Sequence, residues 1–246
     1  MRLLPFLALL LSADLARAEA PKPAAFNQAF ELAGIRMLCE QSEPLLLRGL
    51  SSEQQAAVGK AFAADALCRD LARRLAPSVQ AAELRQAEAL LSSPLAQRFT
   101  QAERAVGETG TEALANYRAQ LGQRPPRADR LALVRRLDRA AHTTVLASSL
   151  RYEVGKTQAL LALKARGESL DEQALSAQTE AQAKALDAQS AQAVESFMLF
   201  AYRQMPSDQL AEYAALYEQG PVSRLLEASA QALPEVFAAR RAKLNK

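Results

Sequence analysis

Ala82-Glu83-Leu84-Arg85-Gln86-Ala87-Glu88-Ala89-Leu90-Leu91-Ser92-Ser93-Pro94-Leu95-Ala96-Gln97-Arg98-Phe99 reads as a helix, a proline turn and a second helix. Asp208-Gln209-Leu210-Ala211-Glu212-Tyr213-Ala214-Ala215-Leu216-Tyr217-Glu218-Gln219-Gly220-Pro221-Val222-Ser223-Arg224-Leu225 repeats that plan with one extra residue before its proline. In both, apolar residues recur at helical spacing and Pro fits the first position of the second helix. A small residue two positions later (Ala96, Ser223) lets the helices cross closely. Each stretch is therefore an αα-hairpin, and two such units predict an all-α protein.

The rest of the chain agrees. Its 246 residues are 50% hydrophobic but only 5% aromatic, with 9 Gly, no Trp and abundant Ala, Leu, Gln, Arg and Glu. Strong helix formers with few β-branched residues argue against a sandwich or barrel. Phe26, Phe30, Ala33 and Met37 form one stripe at helical spacing. Ser51-Ser52-Glu53-Gln54 has the form of a helix start with a reciprocal cap. Helices follow to about Ala63, from Asp65 to Pro77, and from Gln80 to Leu91. The helix that starts at Pro94 carries Leu95, Phe99, Ala102 and Val106 and is stopped by Gly107 and Gly110. A shorter one ends at Gly122, placed like a left-handed C-terminal cap.

Gln123-Arg124-Pro125-Pro126-Arg127 cannot continue a helix and stiffens the connection. Residues 123–128 thus read as a linker between an N-terminal helical lobe, 19–122, and a C-terminal one, 129–246. After Asp129 the pattern predicts one helix to about Ala165, stopped by Gly167. A long Ala- and Gln-rich helix then runs to Gln204, with its early part exposed and its late part buried. The final helix is expected to fray at Arg240-Arg241-Ala242-Lys243.

Residues 1–18 read as a signal peptide. Arg2 precedes an apolar run, Leu3 to Leu11, and Ala16 and Ala18 supply the small residues before the cut. The run is far shorter than the ~20 residues that span a bilayer. The leader holds Arg2, Arg17 and Asp14, so its loss lowers the net charge of +3 by one. A nearly neutral chain gives no argument for nucleic acid. Export to the periplasm is the expected localisation, with no span in the mature chain. In an oxidising compartment the only two cysteines, Cys39 and Cys68, are candidates for a disulfide. The alternative is two buried thiols acting as small apolar residues.

A helix, a proline turn and a second helix, behind a leader, resemble the helix, Ser-Pro-apolar-Gly-basic turn and helix of the domain-of-unknown-function 2059 family of exported bacterial proteins. Tyr202 through Ala228 carries the resemblance most closely, with Leu210, Tyr213, Tyr217, Pro221, Val222 and Arg224 at the pattern's positions. Pro94, Leu95 and Arg98 are their counterparts in the first copy. The usual Gly is Ala96 there and Ser223 in the second copy. The two-half layout is similar to longer pseudomonad-type members. The resemblance implies an all-helical periplasmic domain and no activity.

Chemistry is sparse. One His and two Cys exclude most multi-ligand zinc, haem and iron–sulfur sites. G-x-S-x-G, H-E-x-x-H, C-x-x-C, P-loop and G-x-G-x-x-G patterns are missing from the sequence. No catalytic, metal-binding or cofactor-binding residue is assigned, and the protein reads as a non-enzyme. His142 is placed on a helix, as a surface or hydrogen-bonded residue rather than a base. Arg124, Arg127, Arg130, Arg135, Arg136 and Arg139 read as a solvated face with local Asp partners. Phe197, Phe200, Tyr202, Tyr213 and Tyr217 read as core, with an apolar groove as the alternative. The resulting expectation is a non-catalytic protein-interaction or envelope-maintenance factor whose partner is another envelope protein. The alternative is a carrier of a lipid or other apolar ligand between helices.

Overall fold

The structure, a computed structural model, describes residues 20–168 and 170–244. The leader reading, with Ala16 and Ala18, lies outside the described residues. A 3-10 turn over Pro23–Ala25 leads into α1 (Phe26–Leu32), α2 (Ile35–Leu47), α3 (Ser52–Phe62), α4 (Ala64–Leu75), α5 (Ala81–Leu91) and α6 (Pro94–Thr109). Then come α7 (Thr111–Gln120), α8 (Ala128–Ala141), α9 (Thr143–Ala165), α10 (Glu172–Ala201), α11 (Ser207–Tyr217) and α12 (Gly220–Leu244). The fold is all-α, with no strand among the described residues.

Local chemistry explains most helix ends. Ser51 accepts from the Gln54 N–H, and the Gln54 side chain accepts from the Ser51 N–H, closing the capping box of α3. Ser93 caps α6 by accepting from the Ala96 N–H, with Pro94 first in the helix. Gly167, at φ +78°, ends α9, and the Gly167 and Glu168 amides return to carbonyls of Lys164 and Leu163.

Three local expectations need correction. The first stripe is interrupted at Gly34, whose φ of +75° separates α1 from α2. Phe26 and Phe30 stay buried, Ile35 and Cys39 continue the core, and Met37 turns outward at 50% exposure. The helix expected from Asp129 to Ala165 is two helices. His142 takes a left-handed conformation, φ +51°, and Asp138 accepts from the Thr144 N–H and hydroxyl, each at 2.8 Å. The carboxylate thus supplies the partner that the start of α9 needs. Finally, Gly122 is not left-handed, and α7 closes at Gln120.

The packing runs through both halves of the chain. One cluster of buried apolar residues extends from Phe26 to Phe237. α12 lies on α3, α4, α5 and α9, and α2 packs on both α4 and α9. The segment 123–128 therefore divides the chain but not the core. The echoed hairpins meet reciprocally: α5 packs on α12 and α6 packs on α11. Arg224 of the second hairpin pairs with Glu83 of the first at 2.5 Å. The same guanidinium covers Gly220, where an added Cβ would lie 3.1 Å from it.

The end of α12 does not fray before Leu244. Arg240 and Arg241 are only 4% and 1% exposed. Arg240 pairs with Asp70 of α4 at 2.6 Å and donates to the Ala61 carbonyl of α3. Arg241 grips both Glu172 oxygens, donates to Thr157 and pairs with Glu153 at 2.6 Å. Cys39 of α2 and Cys68 of α4 are joined in a disulfide, with Cα atoms 5.9 Å apart.

Candidate functional site

The reciprocal hairpins bring α6 and α11 face to face, and the candidate site grows from that contact. Phe99 on α6 stacks on Tyr213 on α11, centroids 4.2 Å apart. One turn further along α6, Glu103 reaches the same face, because residues four apart are neighbours on a helix. One turn further along α11, Tyr217 does likewise, its hydroxyl 3.1 Å from that of Tyr213. Tyr202, just past the end of α10, donates its hydroxyl to Glu103 at 2.5 Å. Its ring meets Phe99 edge-on at 5.0 Å. Its carbonyl accepts from Arg130, which also reaches Ser207 and so ties α8 to the turn that precedes α11.

This polar group closes one end of a cavity of about 550 Å³. The walls are mostly apolar: Leu38 of α2, Leu137 of α8, Leu146, Ala147 and Leu150 of α9, and Phe197 and Met198 of α10, with Gln41 of α2 and Thr143 of α9 as polar members. Gly34 and Met37 stand on the α2 side, Gly107 and Arg104 on the α6 side. The volume lies within the ~300–1,000 Å³ usual for small-molecule sites, and the pattern of apolar walls with a few convergent polar groups is the usual one. The breaks at Gly34 and His142 help to shape it. Ala33 and Gly34 line it at one joint, Ala141 and Thr143 at the other.

Electrostatically, the polar end is unusual. Burial raises the Glu103 carboxyl above its ordinary value, against the lowering effect of hydrogen bonds from Tyr202 and Tyr213. Burial and the neighbouring carboxylate push the hydroxyls of Tyr202, Tyr213 and Tyr217 well above the ordinary phenol value. The three tyrosines are therefore neutral hydrogen-bonding groups at neutral pH. A carboxyl with a raised folded-state value contributes stability that is full below its unfolded value, 4.5, and lost as pH rises past the folded one. Glu103→Gln removes that loss. The melting temperature of the variant should match wild type near pH 4 and rise above it progressively toward neutral pH. A constant difference across that range would show that Glu103 does not titrate as described.

Of the residues singled out from the sequence, Leu210, Tyr213 and Val222 are at most 1% exposed, and Tyr217 is also buried. Pro221 and Leu95 are half-buried, and Arg98, Arg224 and Pro94, the last at the helix start, are exposed. Tyr213 and Tyr217 alone among these motif positions line the cavity. In the aromatic group, Tyr202 and Phe197 also line it, whereas Phe200 packs on Tyr117 and lies under Arg203. Phe197 is half-buried, so the cluster is core and cavity wall at once. His142 is a joint between helices and touches neither the cavity nor its polar end. The arginine run pairs with other helices more than with its own: Arg135 with Glu195, and Arg136 through two bonds with Glu218. Arg127 pairs locally with Asp129.

Glu103 escaped the sequence reading. Its signal was present: an acid beside Ala102, on the edge of the stripe Leu95, Phe99, Ala102 and Val106. Among the described residues no cluster of His, Cys, Asp and Glu could hold a metal, and no helix is long and apolar enough to cross a membrane. Against protein-family models, curated proteins and solved structures, the chain gives no match.

Proposed function

We propose that this protein is an exported, non-catalytic binder of an apolar small molecule held between its helices. The observation that carries the reading is the cavity at the meeting of the echoed hairpins, apolar over most of its wall, with Glu103 and three tyrosines gathered as its main polar group. Export is supported by the leader sequence and by the Cys39–Cys68 bridge, a bond suited to an oxidising compartment. The resemblance to the domain-of-unknown-function 2059 family supports the same location.

A partner protein of the envelope is the second reading. The observation in its favour is the pair of exposed large apolar side chains, Met37 at 50% and Val145 at 48%. Met37 stands on the wall of the cavity, and Val145 on the first turn of α9, which supplies Thr143, Leu146 and Ala147 to it. Both therefore also suit an apolar approach to the ligand site.

The test is uptake of an apolar naphthylamine fluorophore, which brightens when removed from water. Wild-type protein should enhance its emission saturably. Gly107 lines the cavity, and a Cβ added there would meet nothing within 4 Å. Gly107→Leu should abolish uptake by crowding the α6 side of the cavity. Exchanging a helical Gly for a better helix former should leave the melting temperature unchanged or higher. Saturable uptake that persists in a folded Gly107→Leu protein would sink the reading, as would no uptake by wild type.

A further inference from the structure

We propose that the cavity selects a cationic amphiphile: an apolar chain ending in an ammonium group, with the ammonium at Glu103 and the chain along α9. This rests on the cavity being a ligand site. The first support is a count of hydrogens. Three phenols bring three hydroxyl hydrogens to the polar end. Tyr202 and Tyr213 each bring one to Glu103, and Tyr217 spends the third on the Tyr213 oxygen, so all three are used. A carboxylate accepts at about four positions. The group is short of donors, and an ammonium head supplies them.

The second support is the surface around the carboxylate. Tyr202, Tyr213 and Tyr217 all line the cavity beside Glu103. Aromatic faces attract cations, more strongly when water is excluded. A carboxylate head would instead meet Glu103 in a desolvated site, where like charges repel.

The third support lies outside the main chamber. An adjoining cavity of about 310 Å³ shares Glu103, Arg104 and Tyr217 with it and adds Glu31 and Glu40. Arg104 is the cation on that lining, and it already faces Glu31 at 3.5 Å. Glu40 is likewise paired, with Arg36 at 2.7 Å, so Glu103 is the acid of this lining that a cationic head would meet. At the other end, Leu137, Leu146, Leu150 and Met198 give the tail an apolar bed.

Octylammonium, octanol and octanoate carry one tail and three heads. Their binding to the full chain at neutral pH can be measured by displacement of the naphthylamine fluorophore. Octylammonium should bind about tenfold tighter than octanol or better, the worth of one charged hydrogen bond, and octanoate weakest. In Glu103→Gln the ammonium should lose that advantage over octanol. Octanoate binding tightest, an ammonium no tighter than the alcohol, or an advantage that survives Glu103→Gln would overturn the head-group assignment and leave the ligand site standing. Failure of all three to displace the fluorophore would instead count against the site. The ranking on wild-type protein decides between these outcomes even where the variant does not fold.

Discussion

Replacing Arg241 by Met should cost about 3–5 kcal/mol of folding stability, the range for removing one partner of a buried ion pair. Arg241 is 1% exposed and Glu153 is 2% exposed. The guanidinium gathers Glu153, Glu172, the Thr157 hydroxyl and the Glu153 carbonyl. Without it, the Glu153 carboxylate is left in the core with Lys156 as the nearest compensating charge. Burial already pushes Glu153 up, in spite of Arg241 and Lys156. Glu172 behaves oppositely. Burial raises it, but hydrogen bonds from Arg241 and Lys156 outweigh that and bring it below its ordinary value. Lys156 and Glu172 can keep their own contact at 2.6 Å when Arg241 is lost. The isolated cost thus falls on Glu153, and Glu153→Leu in the Arg241→Met background should recover most of it. Urea unfolding of both proteins checks this. A single variant within ~0.5 kcal/mol of wild type, the usual effect of a surface change, would refute it.

Removal of the Cys39–Cys68 bridge should cost about 3–4 kcal/mol at 25 °C. The figure follows from the loop that the bond closes in the unfolded chain, 29 residues in sequence separation. Cys39 is fully buried and Cys68 nearly so. Both can therefore be exchanged for Ala without leaving a buried polar group unsatisfied. Urea unfolding of Cys39→Ala/Cys68→Ala should show the loss, and wild-type protein unfolded in reductant should show nearly the same. Mass measurement with and without reductant should differ by two hydrogens. A reductant-insensitive unfolding curve would show that the bridge contributes nothing. The bond ties α2 to α4, the helices on which α9 and α12 respectively lie. Its loss should therefore be felt across the shared core.

What could be read from the sequence is what adjacent residues decide. The Ser51–Gln54 cap, Pro94 behind Ser93 and the stop at Gly167 are all local events, and they stand where the residues put them. The break at His142 depends on a carboxylate six residues before the amide it caps, and helical periodicity runs on through it. The turn-out of Met37 depends on Gly34 adopting a left-handed conformation, which the stripe from Phe26 conceals. Arg240 and Arg241 look like a solvated tail because the residues around them are charged or small. Their partners Asp70, Glu153 and Glu172 are far away in sequence and become visible only with the packing. The candidate site followed the same rule. Its tyrosines stand out as a cluster within one short stretch. Glu103, which gives that cluster its charge, comes from the other hairpin.

The placement of α12 sets an order on folding. This helix fills the space between α3, α4 and α5 on one side and α9 on the other. Its two buried arginines fasten the opposite edges together, one of them across 170 positions of chain. Contacts of such long range form late, because closing the intervening loop has to precede any return from them. The earlier helices can curl and pair as they emerge, but their apolar faces lie open until the final one arrives. A chain that stops short of α12 leaves the faces of α3, α4, α5 and α9 that this helix covers without their partner.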